Sequence, residues 1–447
     1  MKINPIEINH QFKKALDLLE KTSQNLFVTG KAGTGKSTLL NYFRTNTRKK
    51  VAVLAPTGVA ALNVRGETIH SFFRFRPDIT VKKIVERGAK IRKGAIYKKL
   101  DAILIDEVSM VRADLLDCVD WFMRLSKKRT DLPFGGTQMI FIGDLYQLPP
   151  VVTGKEKEIF ETHYASPYFF DAMVFQQARL ELVELEKIYR QKDESFIRLL
   201  NGIRNNSITE EGLARLNERV GAVFPSENCI GYAIHLTTTN AMAQDINREH
   251  LMRLENEFRV YPAQVSGDFD ERSFPTDQEL YLAAGAQVMF LNNDSRGRWV
   301  NGSLGKVIEI RINKNSQGDV IVVQLENGQS EEVLPYAWEL FHFKFNETLQ
   351  AIETETTGIF TQYPLKLAWA VTIHKSQGKT FDRIVIDMGK GSFASGQTYV
   401  ALSRCTSLKG ISLKIPLKKS HILMDERIVR FMTPYDGQSD GYQDMSD

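Results

Sequence analysis

The 447-residue sequence contains only three cysteines, Cys118, Cys229 and Cys405, which lie far apart and form no C-x-x-C pair. An odd number at such spacing argues against a disulfide framework or a cysteine-ligated zinc site and favours a reducing compartment. No apolar run approaches the roughly 18 residues of a membrane-spanning helix. The runs AILI at 102–105 and MIFI at 139–142 have the length of single strands. We therefore expect a soluble cytoplasmic protein, and the N-terminal segment shows no secretory or other targeting signal.

The sequence also lacks internal repeats, low-complexity segments and a strong overall charge, since its net charge is only +4. Its length indicates about three globular units. The charge is unevenly placed: residues 71–100 hold ten Lys and Arg against two acidic residues, Asp78 and Glu86. Aromatic residues are interleaved with these cations, which suits single-stranded nucleic acid, although a solvated basic helix is the alternative; they are Phe72, Phe73, Phe75 and Tyr97.

Short apolar strands alternate with longer helical stretches over the first 150 residues. Four such strands are LFVTG at 26–30, VAVLAP at 51–56, AILIDE at 102–107 and MIFIGD at 139–144. This alternation predicts an α/β fold with a parallel sheet covered by helices on both faces.

The pattern changes between about residues 261 and 360. VIEIRI at 307–312 and VIVVQL at 320–325 flank a polar turn, as in an antiparallel hairpin. The alternation of strands and helices then returns. We expect a small β module inserted into a second α/β unit.

A glycine-rich motif, GKAGTGKS at 30–37, matches G-x-x-x-x-G-K-[ST] between a predicted strand and a predicted helix. Its glycines let backbone N–H groups surround an anion, and the helix N-terminus adds favourable partial charge. Lys36 is expected to reach the β- and γ-phosphates, and the Ser37 hydroxyl to hold Mg²⁺. The motif predicts a nucleoside triphosphatase without specifying which, with nucleotide contacts from Gly30, Lys31, Ala32, Gly33, Thr34, Gly35, Lys36, Ser37 and Thr38.

Polar residues end two further predicted strands. Asp106 is expected to bind Mg²⁺ and Glu107 to activate the attacking water, although such an acidic pair can also cap a helix. The segment GDLYQLPP at 143–150 places Gln147 where ligands of parallel sheets gather. Gln147 is expected to sense the γ-phosphate or the attacking water, and an ordinary polar loop is the alternative.

With the phosphate motif, a series of blocks resembles the Pif-type helicases, which are 5′-to-3′ DNA motors of superfamily one related to RecD. The resemblance extends from about residue 9 to 415. The stretch from Asp114 through Gln138, ending in PFGGTQ, looks like the family's own signature. The other blocks are APTGVAALN at 55–63, GETIHSFF at 66–73, LIDEVSM at 104–110, MIFIGDLYQLPPV at 139–151, LEKIYRQ at 185–191, LTTTNAMAQDIN at 236–247, AWAVTIHKSQGKTFD at 368–382 and GQTYVALSRC at 396–405.

The resemblance implies two RecA-like P-loop domains with parallel sheets. The first would comprise residues 1–64 and 101–184, and the second 185–260 and 361–433. Two insertions are implied as well: a small basic wedge at 65–100 in the first domain and a small β-barrel at 261–360 in the second. The remaining residues, 434–447, are acidic and are expected to form a flexible tail.

The resemblance also implies roles at the nucleotide. Arg190 and Arg404 would reach the γ-phosphate from the second domain, although each arginine alone could be a surface salt-bridge partner. Gln11 would contact adenine, and Gly378 would lie near the nucleotide. The catalytic set is then Lys36, Asp106, Glu107, Gln147, Arg190 and Arg404, with Ser37 and Asp106 holding the metal.

Contacts to single-stranded DNA are implied for a third group of residues. Hydroxyl and N–H groups at strand ends can hold phosphates without reading sequence, and aromatic rings can stack on bases. For Phe72 the alternative is core packing, and for His70 and His374 it is a structural hydrogen bond. The implied set is Pro56, Thr57, Gly58, His70, Phe72, Thr237, Asn240, Thr372, His374 and Lys375.

Together these expectations describe a DNA-dependent ATPase and helicase that uses ATP and Mg²⁺. Its partners would be single-stranded DNA and single-strand/duplex junctions, with G-quadruplexes and RNA–DNA hybrids as further substrates, and the chain would be a monomer in isolation. Roles in DNA repair, recombination and telomere maintenance are implied by the same resemblance. A translocase without unwinding, or one that tracks RNA, remains open.

Two other classes fit the sequence less well. A GTPase switch would need an N-K-x-D guanine reader, and the nearest segment, NKNS at 313–316, lacks the aspartate. A protein that only holds a single strand would not need the phosphate motif, the acidic pair or the two arginines.

Overall fold

The computed structural model describes residues 8–76, 78–86, 95–152, 160, 162–224, 232–312, 318–346 and 351–435. The first half forms a six-stranded parallel sheet of order β3-β2-β4-β5-β1-β6. Its strands are β1 (Asn25–Gly30), β2 (Val51–Ala55), β3 (Glu67–Thr68), β4 (Ala102–Ile105), β5 (Gln138–Ile142) and β6 (Leu180–Leu185). The central strands are buried along almost their whole length, because helices cover both faces of the sheet.

The helices of this half are α1 (His10–Lys21), α2 (Lys36–Asn46), α3 (Gly58–Asn63), α4 (Ile69–Phe73), α5 (Val81–Glu86), α6 (Ala95–Lys99) and α7 (Ala113–Lys127). Helix α7 presents a long apolar face, with Leu116, Val119, Phe122 and Met123 all buried. That face forms a common core with the sheet and with the three short helices α4 to α6.

The basic stretch 71–100 forms α4, α5 and α6, and its residues 77 and 87–94 lie outside the described residues. Its four aromatic side chains are buried, and three of them, Phe73, Phe75 and Tyr97, pack against Phe122 of α7. The expectation that these rings serve to stack on nucleic acid is therefore corrected, because they fill the core beneath the wedge. In the described part of this stretch, exposed side chains such as Lys82 and Lys98 provide the positive charge at the surface.

The second half opens with α8 (Glu194–Arg204), α9 (Glu210–Asn217), β7 (Ile234–Thr237) and α10 (Asn240–Met252). An antiparallel insertion follows and spans residues 259–367, slightly more than the expected 261–360. It forms sheets of order β14-β13-β12-β11-β17, β15-β16-β9 and β10-β8. The strands are β8 (Arg259–Pro262), β9 (Gln264–Gly267), β10 (Glu279–Leu282), β11 (Gln287–Phe290), β12 (Leu304–Arg311), β13 (Val320–Leu325), β14 (Ser330–Val333), β15 (Tyr336–Asn346), β16 (Ala351–Gln362) and β17 (Leu365–Leu367).

After the insertion the chain completes a second parallel sheet of order β18-β7-β19-β20. The elements are β18 (Ala370–Thr372), β19 (Ile384–Asp387), α11 (Gln397–Leu402), β20 (Ile411–Leu413) and α12 (Glu426–Met432). The α/β fold with parallel sheets thus matches the sequence prediction. None of the described helices combines the length and hydropathy that crossing a membrane requires.

The last helix corrects one expected boundary. Residues 426–433 were expected to belong to the second domain, but Ile428 and Met432 of α12 are buried in the core of the first. The Phe431 ring stacks on Phe170 with centroids 4.2 Å apart. The chain therefore returns to the first domain because α12 finds its apolar partners there.

Candidate nucleotide cleft and nucleic-acid face

The glycine-rich loop joins β1 to α2 and has an unusual backbone. Gly30, Gly33 and Gly35 have φ of +146°, +84° and +88°, a region that side-chain-bearing residues rarely adopt. A Cβ at Gly33 would lie 2.5 Å from the Cβ of Arg190. Glycine is thus required here both for the turn and for the close approach of the second domain.

Lys36 begins α2 and turns its side chain back over this loop. Its Nζ donates hydrogen bonds to Gly30 O at 2.6 Å and Lys31 O at 3.0 Å. Burial lowers the pKa of Lys36. The ammonium is placed where a phosphate chain, the usual occupant of such a loop, presents its negative charge.

An acidic pair follows the buried strand β4. Burial, reinforced by the neighbouring Glu107, raises the pKa of Asp106 to about 7. Burial also raises the pKa of Glu107, which has a left-handed backbone (φ +49°) before the turn Val108–Met110. Two crowded carboxylates of this kind are stabilised in their charged form by a cation, and the Ser37 hydroxyl and Asp106 carboxylate are oxygen ligands of the type that Mg²⁺ accepts.

A cleft of about 940 Å³ lies between the two domains and contains this loop. Its wall brings together Gln147 and Glu107 from the first domain with Gly378 from the second. The full lining is Asn9, Phe12, Ala32, Gly33, Thr34, Gly35, Lys36, Ser37, Thr38, Glu107, Gln147, Leu185, Tyr189, Arg190, Gly378, Thr380 and Arg404. The predicted nucleotide residues from Ala32 to Thr38, separated by as much as 346 residues from Gly378, thus share one cavity.

Four of the predicted nucleotide and metal residues lie beside this wall rather than on it: Gln11, Gly30, Lys31 and Asp106. The Gln11 amide donates to Glu186 Oε2 at 3.0 Å. Two neighbouring residues line the cleft instead: Phe12 on α1 and Asn9, which caps the start of that helix.

The two predicted arginines both reach the cleft from the second domain. Arg404 is 1% exposed, and it donates to Val400 O at 2.9 Å and Ser403 Oγ at 2.8 Å. Burial, reinforced by the charge of Arg190, lowers the pKa of Arg404 to about 9. Burial also lowers the pKa of Arg190, which donates to Ser403 O at 3.2 Å.

Among the described residues no carboxylate lies within ion-pair distance of either arginine. A buried guanidinium without a carboxylate is costly unless an anion completes its environment. The burial of Arg404 rules out the surface salt-bridge alternative for this residue. Both cations are instead held in the wall of the cleft that contains Lys36.

Two tyrosines that sequence reasoning missed join the glycine-rich loop to the second domain. The Tyr399 hydroxyl accepts from Ala32 N at 3.0 Å, and Tyr189 N donates to Gly33 O at 2.8 Å. These two tyrosines could have been found from their positions in the chain, because Tyr189 directly precedes Arg190 and Tyr399 lies five residues before Arg404.

The predicted strand-contacting residues of the second domain share one sheet edge. Thr372 at the end of β18 pairs in register with Thr237 at the end of β7. The Thr237 side chain is 0% exposed, and its hydroxyl donates to Thr239 O at 3.1 Å. Asn240 and Lys375 are exposed at the same edge, so they can meet a ligand directly while the two threonines shape the backbone.

In the first domain the segment 56–58 lies at the N-terminus of α3. The Thr57 side chain accepts from Ala60 N at 3.2 Å, which caps this helix. Gly58 lies against the inserted domain, since a Cβ there would meet Ser273 at 2.5 Å. Pro56 at the preceding strand end is half-buried.

Phe72 lies where the core-packing alternative placed it. It is 4% exposed, and its ring makes edge contacts with Phe73 and Tyr97. The expectation of base stacking is therefore corrected for this structure, because the ring is enclosed by other rings. His70 beside it is half-buried, and burial, reinforced by the charge of Arg112, lowers its pKa.

His374 is half-buried and forms an aromatic pair at the surface. Its ring lies parallel to that of Phe393, with centroids 6.0 Å apart, and burial lowers the pKa of His374. Phe393 is largely exposed, which makes it an aromatic residue on this face that sequence reasoning missed.

These features define a class of protein. Two α/β domains with parallel sheets enclose a cleft that contains the glycine-rich loop, the second domain supplies two arginines to it, and polar residues lie at strand ends of both domains. This is the organisation of an ATP-driven nucleic-acid motor.

Comparisons with known proteins identify the family. A family model described as PIF1-like helicase matches residues 7–213. The ATP-dependent DNA helicase Pif1 of Bdellovibrio bacteriovorus is 31% identical, and the alignment covers 98% of this chain and 94% of that protein. The chain therefore belongs to the PIF1-like helicase family, which makes it an ATP-dependent DNA helicase and a hydrolase.

Solved structures agree with this assignment. The crystal structure of Pif1 from a Bacteroides species in complex with ADP-AlF4 has a TM-score of 0.85 and 38% identity, covering 97% of this chain and 98% of that chain. The same protein bound to ssDNA gives a TM-score of 0.68 with the same coverage and 37% identity. Several relatives are longer, and the chain spans 58% of the zebrafish protein and 61% of the human one.

Proposed function

We propose that the chain couples ATP hydrolysis to 5′-to-3′ movement along single-stranded DNA and thereby opens forked duplexes. The observation that carries this proposal is the cleft between the two domains. Lys36 on one wall and Arg190 and Arg404 on the other all approach one cavity of about 940 Å³. Hydrolysis in such a cleft depends on how the two domains are placed.

Phosphoryl transfer needs positioning and charge stabilisation more than covalent chemistry. Lys36 neutralises the β- and γ-phosphates, and Gln147 orients the attacking water or senses the γ-phosphate. Glu107, whose pKa is raised by burial, accepts the proton of that water. Arg190 and Arg404 stabilise the charge that develops on the γ-phosphate oxygens.

Mg²⁺ belongs to this proposal together with ATP. Ser37 and Asp106 would hold it, and the metal would neutralise charge on the phosphate oxygens. Among the described residues no group of three or more His, Cys, Asp and Glu side chains is arranged to hold a metal. Phosphate oxygens and water would complete its shell, as is usual for Mg²⁺ with nucleotides.

The strand-contacting segments lie on both domains, and this division permits movement. The segment 56–58 belongs to the first domain, and the segments 237–240 and 372–375 belong to the second. Closure of the cleft on ATP shortens the distance between them, and hydrolysis lengthens it again. Opening one base-pair step costs roughly 1.4 kcal/mol, so net unwinding requires this coupling.

The likeness to the Bacteroides protein, which has been solved bound to ssDNA, supports single-stranded DNA as the ligand. G-quadruplexes and RNA–DNA hybrids are proposed as further substrates, with the chain acting as a monomer in isolation. The same proposal places it in the cytosol beside the nucleoid, where ATP and DNA are both present.

A strand-displacement assay on matched forks tests polarity and unwinding together. Forks with only a 5′ tail are expected to be opened in the presence of ATP, while forks with only a 3′ tail remain closed. Lys36→Ala should abolish both unwinding and DNA-stimulated ATPase activity, because the phosphates lose their main cation.

Each other outcome has a defined meaning. Opening of 3′-tailed forks contradicts the polarity. ATPase activity without displacement of either fork favours the translocase alternative. Repeating the assay with an RNA tracking strand tests the choice of sugar.

A further inference from the structure

Outside the cleft wall, a buried arginine connects the two domains. Arg204 ends α8 of the second domain, and its side chain is 6% exposed. Its Nη2 lies 3.3 Å from Asp144 Oδ1 and 3.9 Å from Glu184 Oε1, both in the first domain. The guanidinium carbon lies 3.9 Å from the centroid of the Tyr146 ring, also in the first domain. Arg204 therefore holds three residues of the opposite domain.

Asp144 links this arginine to the nucleotide cleft. Its Oδ2 accepts from the Gln147 side-chain amide at 3.2 Å, while its Oδ1 accepts from Tyr146 N at 3.2 Å. The backbone N of Gln147 also donates to Asp144 O at 3.0 Å. The same buried carboxylate thus receives Arg204 from the second domain and the side chain of Gln147, which lines the cleft.

The contacts of Arg204 are better suited to orienting Asp144 and Gln147 than to holding the two domains together. A buried ion pair often stabilises a fold no more than apolar residues of similar volume, because both charges lose their hydration. Apolar side chains already pack at this interface, including Leu145, Ile203 and Ile422. Apolar contacts have no preferred direction. Hydrogen bonds do, and here they fix the orientation of the Asp144 carboxylate and hence of the Gln147 amide.

We propose that Arg204 is a positioning residue that couples the placement of the second domain to the orientation of Gln147 at the cleft. When the two domains shift relative to each other, the Arg204 guanidinium moves with α8. Its hydrogen bond to Asp144 is then either kept, so that Asp144 changes orientation, or broken. The Gln147 amide is then held for hydrolysis in one arrangement and freed in the other. This inference rests on the proposed function, because it requires hydrolysis in the cleft.

The variant Arg204→Met removes the charge and the hydrogen bond to Asp144 while keeping an unbranched side chain of similar reach. Arg198→Met is the matched control, since Arg198 lies on the same helix with a side chain 73% exposed and a surface contact of 4.0 Å to Glu194. ATPase kcat and the KM for ATP are measured with and without oligo(dT), together with Tm. Arg204→Met is expected to lose about tenfold or more of the stimulation of kcat by oligo(dT), with KM changed by less than about threefold.

Two further variants separate positioning from stability. The double variant Arg204→Met with Asp144→Asn removes the unpaired carboxylate, so Tm is expected to recover while stimulation by oligo(dT) does not. Arg204→Lys keeps the charge and is expected to recover part of the stimulation. If Arg204→Met alone does not fold, the double variant and Arg204→Lys still test the proposal.

The proposal is overturned if Arg204→Met matches Arg198→Met in stimulation, if basal and stimulated kcat fall by the same factor, or if the double variant regains stimulation together with Tm. Lys36→Ala is measured in parallel. Retained ATPase activity in Lys36→Ala would overturn the proposed function itself. An inactive Lys36→Ala beside normal stimulation in Arg204→Met would overturn only the coupling role.

Discussion

Replacing Arg404 with alanine tests the assignment of a cation that acts on the γ-phosphate. An arginine in this role contributes roughly 10³–10⁵-fold to kcat, which corresponds to about 4–7 kcal/mol of transition-state stabilisation. The effect on folding should be much smaller. Arg404→Ala removes two short hydrogen bonds, to Val400 O and Ser403 Oγ, each worth about 1 kcal/mol net.

Part of this loss in folding stability is offset, because the substitution also removes a buried cation that has no carboxylate partner among the described residues. We therefore expect kcat for DNA-stimulated ATP hydrolysis to fall by about 10³-fold or more. Tm should fall by no more than about 5 °C.

The assay is steady-state ATPase activity with saturating oligo(dT), combined with equilibrium binding of a fluorescent ADP analogue. Binding should weaken by much less than kcat, since the charge on Arg404 matters most when negative charge builds on the γ-phosphate. Arg219→Ala is the matched control, because Arg219 also belongs to the second domain and donates to two backbone carbonyls, Ile411 O and Lys409 O, both at 2.9 Å. A fall in kcat equal to the fall in affinity, or a similar effect in Arg219→Ala, would refute the reasoning.

Two further predictions follow from the contacts between domains. Gly33→Ala should abolish ATPase activity, because a Cβ there would lie 2.5 Å from the Cβ of Arg190 at φ +84°, whereas Gly297→Ala at φ +72° meets nothing within 4 Å and should stay active; wild-type turnover in Gly33→Ala would contradict this. The hydrogen bond that the His342 ring donates to the Glu67 carboxylate raises the pKa of His342, so this contact between β15 and the first domain is fully present below about pH 6.5 and is lost as pH rises through the folded-state pKa. The Tm advantage of wild type over His342→Gln should therefore be larger at pH 6 than at pH 8.5, and modest because the His342 side chain is 36% exposed; an equal advantage at both values would show that the charge does not matter.

Several site residues could be predicted because their signal is local. The spacing of Gly30, Gly33, Gly35 and Lys36 within eight residues is enough to define a phosphate loop, since the turn and the following helix fix the geometry of neighbours in the chain. Asp106 ends a buried strand for the same kind of reason. These placements match the structure.

Other placements could not be predicted from spacing. Phe72 lies in a basic, aromatic-rich stretch, which is equally compatible with a surface that stacks on bases and with a core. Its ring contacts Tyr97 and Phe343 of the insertion, which are 25 and 271 residues away in the chain. The same holds for α12, whose apolar residues fit either domain until the partner surface is known.

The sequence by itself determined the α/β class, the phosphate loop, the acidic pair and the β insertion, because each is encoded by periodicity or spacing within a short window of the chain. The tertiary structure alone decided which aromatic residues are buried, that α12 returns to the first domain, and that Tyr399 and Arg204 join the two domains. These features depend on pairs of surfaces that meet only after folding. An arginine, a tyrosine or a phenylalanine carries no local mark of the partner that it will find.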